Sequence, residues 1–169
     1  MSEMLILTDL FDNETGCASK EEAHRLGLLH RAFSVFIING DKMLIQRRNV
    51  NKYHSGGLWA NACCSHPRAG ESLDIAVQRR MKEELGISCE LKELFDFVYF
   101  SKYGEELFEY EYDHVFLGEY GGEFSFDPEE IEELRWISFD ELEEMMLREP
   151  QSFSSWFMIA APKVLKEIR

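Results

Sequence analysis

Residues 61–67, with the sequence NACCSHP, place a thiol and an imidazole two positions apart. Because successive side chains of a strand point to opposite faces, we expect Cys64 and His66 on one face, about 7 Å apart, and Cys63 on the other. Thiols and imidazoles both exchange protons, and both bind metal ions. One face of this strand therefore offers two groups suited to proton transfer or metal binding.

A helix follows this strand. Apolar residues recur at spacings of three and four from Leu73 to Leu85, and Gly86 is a typical helix end. Glu84 lies four residues after Arg80, so the two side chains share a helical face. That face can hold a divalent metal through the carboxylate and a phosphate through the guanidinium.

Residues 107–117 alternate in the manner of a strand, with aromatic side chains at the even positions. The aromatic face is expected to pack into the core. Glu109 and Glu111 would then lie together on the other face, about 7 Å apart. Two carboxylates in this arrangement are suited to chelating a metal ion.

Composition narrows the classes of partner. A net charge of -14 argues against nucleic acid, whose phosphates would be repelled. Two basic groups, at residues 47–52 and at Arg79 with Arg80, can still bind a small anion, and the acidic excess at residues 105–149 is expected to lie away from both. No apolar run is long enough to span a membrane. The four cysteines lack CxxC spacing, which indicates a reduced, cytoplasmic setting.

The remaining elements are short and separated by turn residues. Strands are predicted at residues 4–10, 31–38, 43–47, 89–99 and 135–137. Turns are predicted at 12–16 and 102–105, and a loop at 49–57. Ser19, with Glu22 as its capping-box partner, begins a helix that ends near Gly27, and a Ser138–Glu141 capping box begins another. A last helix runs from residue 154 or 155, where Pro162 is predicted to kink or break it.

Glu71, Arg79 and the run KEELGI at residues 82–87 resemble the Nudix box. That box reads Gly, five residues, Glu, seven residues, Arg-Glu-apolar-x-Glu-Glu-x-Gly-apolar. Ser65 stands in place of the first glycine, and Arg80 replaces the glutamate after the arginine, which hydrolytic members use to hold metal. The resemblance therefore implies a protein that binds a diphosphate without cleaving it.

The segments LLHRAFSV, NACCSHP, FEYEYDHVF and SSWF are similar to those of type I isopentenyl-diphosphate isomerases, and the similarity covers residues 20–156. It implies an α/β Nudix fold, with a mixed β-sheet layered between α-helices and the site in a cleft over the central helix. Residues 1–169 would form one domain. Within it, residues 1–28 would be an extension that contributes a metal ligand, and residues 154–169 a helix over the site. A monomer or weak homodimer is expected.

The resemblance also implies the site residues. Three histidines and two glutamates would hold one divalent metal, with Mn²⁺ expected and zinc or magnesium as alternatives: His24, His30, His66, Glu109 and Glu111. The catalytic residues would be Cys64, Glu111 and Tyr99, with the order of proton transfer open. Trp156 would face the carbocation. The diphosphate of isopentenyl diphosphate would contact four basic residues, with Mg²⁺ bridging it to Glu84: Lys20, Arg48, Lys52 and Arg80.

Two other functions are compatible with the residues. One is a Nudix diphosphohydrolase acting on a nucleotide or another diphosphate, against which Arg80 argues. The other is a metal-binding module without catalytic activity. The first predicts release of phosphate or of a nucleoside monophosphate, and the second predicts metal binding without turnover.

Overall fold

The structure, a computed structural model, describes residues 2–169. Within them the strands are Met4–Thr8 (β1), Glu14–Ser19 (β2), His30–Asn39 (β3), Lys42–Arg48 (β4), Trp59–Asn61 (β5), Cys63–Ser65 (β6), Leu91–Tyr103 (β7), Leu107–Glu119 (β8) and Ile131–Ser138 (β9). The helices are Lys20–Leu26 (α1), Leu73–Leu85 (α2), Phe139–Arg148 (α3) and Ser155–Ile168 (α4), with a 3₁₀ turn at Pro150–Ser152. In this part of the chain no helix combines the length and the apolar character needed to cross a membrane.

The sheet is mixed, and β3 lies at its centre. β3 pairs in parallel with β8 and antiparallel with β1, β4 and β6. β7 extends the sheet antiparallel to β8, while β4 continues it toward β5 and β9. β3 therefore pairs directly with four other strands, and side chains from these strands can meet beside it.

Alternating side chains of β3 enter two separate cores. Phe36 and Ile38 pack in a cluster with residues of α3 and α4, whereas Val35 and Ile37 pack in a second cluster with residues of α2. Since neighbouring strand residues point to opposite faces, the sheet lies between α2 on one side and α3 with α4 on the other. The predicted fold class, a mixed sheet layered between helices, is confirmed.

The N-terminal hairpin differs from the prediction. β1 ends at Thr8, earlier than expected, and residues 14–16 of the turn predicted at 12–16 already form part of β2. The Asp9 carboxylate accepts the backbone N–H groups of Phe11 and Asn13 and so closes the turn earlier. Asp12, with a φ of 65°, takes the left-handed conformation that reverses the chain.

The helix ends follow their capping residues. Ser19 accepts the N–H of Glu22, although the reciprocal contact of a full capping box is absent there. Ser138 and Glu141 form the complete box at the start of α3, as predicted. Pro162 does not break α4, which continues to Ile168. Burial of the helix residues on both sides of the proline outweighs the lost hydrogen bond.

The long β7–β8 hairpin corrects two further expectations. β7 extends to Tyr103, paired with Leu107, so the turn occupies residues 104–106 and not 102–105. On β8 the first three aromatic side chains, Phe108, Tyr110 and Tyr112, are only half-buried, whereas Phe116 packs into the core as expected and Glu109 and Glu111 are buried. The carboxylates border an internal cavity, while the half-buried rings contact the hairpin itself, as in the stacked pair of Phe100 and Phe108.

Candidate active site

Three neighbouring strands bring the first site residues into one row. Glu111 of β8 is directly opposite His30 of β3 in the parallel ladder and opposite Tyr99 of β7 in the antiparallel one. β6 lies on the other edge of β3, where Cys64 pairs with Ser34. Residues that are far apart in the sequence therefore share one strip of the sheet, because side chains opposite each other in a ladder point to the same face.

Three imidazoles and one carboxylate form a tight buried group. The ring of His24, in the last turn of α1, lies 5.1 Å from that of His30 and 5.7 Å from that of His66, centroid to centroid. The rings of His30 and His66 are 4.9 Å apart. One ligand atom from each, together with a carboxylate oxygen of Glu111, lies within 4.8 Å of the others.

The donor atoms of this group fit a divalent metal ion. The Nε2 atoms of His24 and His30 are fully buried and have no hydrogen-bond partner. Nδ1 of His30 lies 2.8 Å from the carbonyl oxygen of Leu28, which can only accept, so in the neutral ring the lone pair is on Nε2. Burial and the neighbouring His66 lower the pKa of His24 to about 3. Burial works to lower the pKa of His30, but the contact with Glu111 raises it, so on that ring a metal ion would take the place of a proton. Neutral imidazoles with free lone pairs are the form that a metal binds.

Glu109 lies beside this group. Its Oε1 accepts a hydrogen bond from the Tyr99 hydroxyl, and its buried Oε2 is 2.7 Å from Nε2 of His54, without an aligned hydrogen bond. Neither oxygen is among the four ligand atoms that lie within 4.8 Å of one another. Of the five residues assigned to the metal, the structure thus brings four together and places the fifth alongside.

Glu111 is the most connected side chain of the site. Its Oε1 lies 2.9 Å from Nε2 of His66 and 3.5 Å from Nε2 of His30, and its Oε2 accepts from the Tyr99 hydroxyl at 2.9 Å. Burial works to raise the pKa of Glu111, but the contact with His30 outweighs it and the pKa lies below its usual range. Burial and the two glutamates raise the pKa of Tyr99, which keeps it a phenol donor.

The adjacent cysteines have opposite environments, as the alternation predicts. Cys63 is fully buried in the core on the α2 side, whereas Cys64 lines the cavity. Sγ of Cys64 lies 4.0 Å from Nη1 of Arg48. Burial raises the pKa of Cys64 although Arg48 opposes it, so the group is a thiol that can donate a proton.

The basic side chains already have acidic partners. Arg80 pairs with Glu84 and, at 2.6 Å, with Glu83, and Lys52 Nζ lies 2.6 Å from Glu130. Glu130 also lies 3.6 Å from Arg80. The expectation that the acidic region from residue 105 to 149 lies away from the basic groups is therefore wrong. Sequence distance gives no information on such pairing, because the start of β9 lies beside β4.

Arg47 also pairs with this acidic region, through Glu132 and Glu133 at 3.3 and 3.2 Å. Its side chain is 38% exposed, whereas Arg48 beside it is buried and lines the cavity. The alternation along β4 accounts for this difference. The two adjacent arginines therefore have different environments, and only Arg48 faces the cavity.

Two aromatic rings carry a cation on their faces. Nζ of Lys20 lies 5.3 Å from the ring centroid of Tyr53, and the guanidinium of Arg48 lies 5.0 Å from that of Trp156. The indole N–H of Trp156 donates to Asn61 at 3.0 Å, which fixes the ring. The ring face that the sequence assigned to a carbocation thus has Arg48 beside it.

A cavity of about 160 Å³ connects these groups. Ten of the predicted site residues line it: Lys20, Arg48, Lys52, Cys64, His66, Arg80, Glu84, Glu109, Glu111 and Trp156. His24, His30 and Tyr99 do not line this cavity but contact residues that do. The expected position over the central helix needs correction. Helix α2 contributes only Arg80 and Glu84, while His30 lies on the β3 face that packs against α4.

Among the cavity residues that sequence reasoning missed are three with titratable side chains: His54, Asp113 and Glu130. Asp113 continues the alternation of Glu109 and Glu111, and this signal was available. Its Oδ2 accepts from Ser34 at 2.8 Å, and burial next to Glu111 raises its pKa well above the usual range. His54, in a loop without periodicity, and Glu130 gave no comparable signal.

Comparisons with known proteins identify the family of this chain. The model of the NUDIX domain matches residues 28–157. A relative from Aromatoleum aromaticum named isopentenyl-diphosphate Delta-isomerase 2 is 43% identical over 98% of this chain and 88% of its own length. One from Serratia proteamaculans named isopentenyl-diphosphate Delta-isomerase is 45% identical over 94% and 89%. A crystal structure of a Deinococcus radiodurans protein has the same fold, with a TM-score of 0.77 over 98% of each chain at 19% identity. The chain therefore belongs to the Nudix family, among the isopentenyl-diphosphate Delta-isomerases.

Proposed function

We propose that the protein converts isopentenyl diphosphate to dimethylallyl diphosphate. The observation that carries the proposal is that the thiol of Cys64 and the carboxylate of Glu111 line one cavity, together with the basic groups that a diphosphate requires. The isomerisation adds a proton to one carbon and removes a proton from a carbon two bonds away. It therefore needs two proton-transfer groups on opposite sides of a short apolar chain.

Cys64 and Glu111 are the two groups in this proposal. Protonation of an unactivated alkene builds a tertiary carbocation, so the donor must be held dry and close to the carbon. The thiol of Cys64 lines the cavity, and burial raises its pKa, so it stays protonated as a donor requires. The one hydroxyl proton of Tyr99 is shared between Glu111 and Glu109, and this contact fixes the carboxylate that exchanges the other proton. The face of Trp156 stabilises positive charge by on the order of 2 kcal/mol in a site without water.

The metal in this proposal is Mn²⁺, held by His24, His30, His66 and Glu111 with Glu109 alongside. Nitrogen donors with hard carboxylate oxygens suit this ion, and zinc or magnesium are alternatives. When bound, the ion fixes the orientation of the carboxylate and lowers its proton affinity. In this assignment residues 1–28 supply the ligand His24, while residues 154–169 cover the cavity with Trp156.

The diphosphate would bind at the other end of the cavity. Lys20, Arg48, Lys52 and Arg80 supply positive charge, and a Mg²⁺ ion would connect the phosphate oxygens to Glu84. Because Lys52 and Arg80 are paired with glutamates, binding requires an exchange of ion-pair partners. Glu84 could hold a Mg²⁺ ion in place of Arg80, and the Arg80 guanidinium would then be free to pair with the phosphate.

The proposal also includes the partners, the cellular location and the oligomeric state of the protein. The substrate is a small molecule, and neither nucleic acid nor a membrane takes part. A net charge of -14 fits the first exclusion. We assign the protein to the cytoplasm, as a monomer or weak homodimer, which fits its four free cysteines.

The test is an isomerase assay on the purified chain with Mg²⁺ and restored Mn²⁺, following the acid-labile allylic product. The wild type should form this product, and Cys64→Ala should lose turnover by about 100-fold or more while it stays folded. Cys63→Ala is the matched control, because the neighbouring thiol points into the core. Absence of product from the wild type would reject the isomerase. Release of phosphate would then indicate a diphosphohydrolase, and metal binding alone a module without activity.

A further inference from the structure

His54 belongs to the loop between β4 and β5, which has no helix or strand of its own. The loop also carries Lys52 and Tyr53, which line the cavity. Unlike those two neighbours, His54 is buried, with 8% of its surface exposed. A buried histidine in an irregular loop is costly unless its ring atoms have partners, so its contacts indicate its use.

Aromatic rings from three parts of the fold fix the orientation of His54. Its ring stacks on Tyr103 of β7 with the centroids 4.4 Å apart and an interplanar angle of 9°. Tyr53 and Trp156 meet it edge-on at 4.5 and 5.9 Å. These contacts hold the imidazole plane, and with it the direction in which the two ring nitrogens point.

The Nε2 atom of His54 lies in close contact with a site carboxylate. It lies 2.7 Å from Oε2 of Glu109, and both side chains are less than a tenth exposed. On the other side of the ring, Nδ1 lies 3.0 Å from Oγ of Ser55. A hydroxyl can donate to Nδ1, which leaves the ring hydrogen on Nε2, where it faces Glu109.

The backbone next to His54 is held in an unusual conformation. Ser55 has a φ of 54°, in the left-handed region that side chains other than glycine rarely adopt. At Gly56 a Cβ atom would lie 2.6 Å from the carbonyl oxygen of Val50, so the loop crosses itself too closely for any other residue. Such a conformation persists only where the surroundings determine it. The position of His54 is therefore specified by the fold.

We propose that His54 is a positioning residue that orients Glu109 toward the three imidazoles. Tyr99 donates to Oε1 of Glu109, and Nε2 of His54 lies 2.7 Å from Oε2, so each carboxylate oxygen has one polar neighbour that limits its position. Each oxygen keeps a second lone pair for an ion. Partners of this kind set the orientation of carboxylate ligands at metal sites. The inference rests on the proposed function, because it assumes that Glu109 serves the metal.

The decisive experiment compares two variants of the full chain after chelation, titrated with Mn²⁺ in a calorimeter. His54→Phe keeps a ring to stack on Tyr103 but removes the N–H, and should weaken Mn²⁺ binding by about tenfold. His54→Gln places a side-chain N–H near the former Nε2 position and should recover most of the affinity. In the isomerase assay His54→Phe should lower kcat and leave KM unchanged, since the diphosphate contacts remain.

Tyr103→Phe is the matched control, because it keeps the ring under His54 and removes only the hydroxyl that contacts Ser155. Its Mn²⁺ affinity should equal that of the wild type. His54→Asn, whose amide is too short to reach Glu109, should behave like His54→Phe, so the result does not depend on how well one variant folds.

The inference is wrong if His54→Phe binds Mn²⁺ as tightly as the wild type, or if His54→Gln binds no better than His54→Phe. A rise in KM alone would also contradict it, because His54 would then act through the loop that carries Lys52. Failure of the proposed function has a different signature. In that case the wild type forms no allylic product, whereas the Mn²⁺ titration still reports on His54.

Discussion

The molecule contains two histidine–carboxylate clusters of similar composition. One joins His24, His30, His66 and Glu111, and the other joins Glu93, Asp96 and His114 on the β7–β8 hairpin. In the first, two buried imidazole nitrogens have no partner. In the second, one ring nitrogen of His114 contacts Glu93 and the other contacts Asp12, near the tip of the N-terminal hairpin, at 2.9 Å.

This difference teaches how to tell a binding site from a structural cluster. Both groups satisfy the same distances between ligand atoms, so proximity does not separate them. A cluster whose donors and acceptors satisfy one another connects elements of the fold, as His114 connects the hairpin to the sheet. A buried cluster with unsatisfied nitrogens is stabilised when a ligand binds it, and we expect that ligand to be a metal ion.

The largest expected effect comes from Glu111, which connects the first cluster to catalysis. Glu111→Gln keeps the shape of the side chain but removes the charge that faces His30 and His66. Turnover should fall by about 100- to 10,000-fold in the isomerase assay. Glu93→Gln, the corresponding change in the second cluster, should leave turnover unchanged. Substantial activity in Glu111→Gln would remove this carboxylate from the proposed reaction.

Removal of the metal should change the thermal stability through the first cluster and not through the second. With Mn²⁺ at about 100 times its dissociation constant, binding stabilises the native state by about 2.7 kcal/mol. Chelation should therefore lower Tm by about 5–10 °C, measured by thermal unfolding with and without Mn²⁺. The shift should disappear in His24→Asn and persist in His114→Asn. A shift of equal size in both variants would mean that the first cluster is not the metal site.

A smaller effect is expected at His114. His114→Phe leaves Glu93 and Asp12 without their imidazole partner, while the ring position stays filled. Both carboxylates are partly exposed, so the free energy of unfolding should fall by only about 1 kcal/mol, measured by urea denaturation. Mn²⁺ binding should not change. If it weakened tenfold, the contrast between a structural and a binding cluster would be lost.

The smallest effect belongs to a fully satisfied pair in the Nudix-box segment. The hydrogen bond from Arg79 holds the pKa of Glu71 below its ordinary value of 4.5. The pair therefore stabilises the native state above pH 4.5, and the contribution is lost as the pH falls through the lower folded-state pKa. Glu71→Gln should cost about 1 kcal/mol at pH 7 and less in acid. A difference that stays constant in urea denaturation from pH 7 to pH 3 would contradict this account.

Local structure was predictable where the two-residue period of a strand or one helix-capping motif determines it. The opposite faces of Cys63 and Cys64 follow from the strand period, and Ser138 with Glu141 marks the start of α3. The N-terminal turn was misplaced because its residues offer several turn signals, and the carboxylate of Asp9 decides between them only in three dimensions.

The site was predictable only in part, because its residues are brought together by turns, loops and strand order. The resemblance named His24 and His30, but their convergence depends on the turn at Gly27, whose φ of 64° no periodicity predicts. The contact of Glu130 with Lys52 joins residues 78 positions apart, and that of His54 with Glu109 depends on an irregular loop. Long-range pairs such as these arise from strand order, which the residues alone do not specify.

The ladder that pairs His30 with Glu111 constrains how the chain length can vary. A single residue added to β8 between Glu111 and Gly118 would turn Glu109 and Glu111 to the outer side of the sheet and bring Tyr110 and Tyr112 inward. An addition at the turn after Tyr103 would not change this parity. Insertions and deletions should therefore be tolerated in the turn at residues 104–106. In β8, only changes by two residues, or a compensating bulge, keep the carboxylates on the same face.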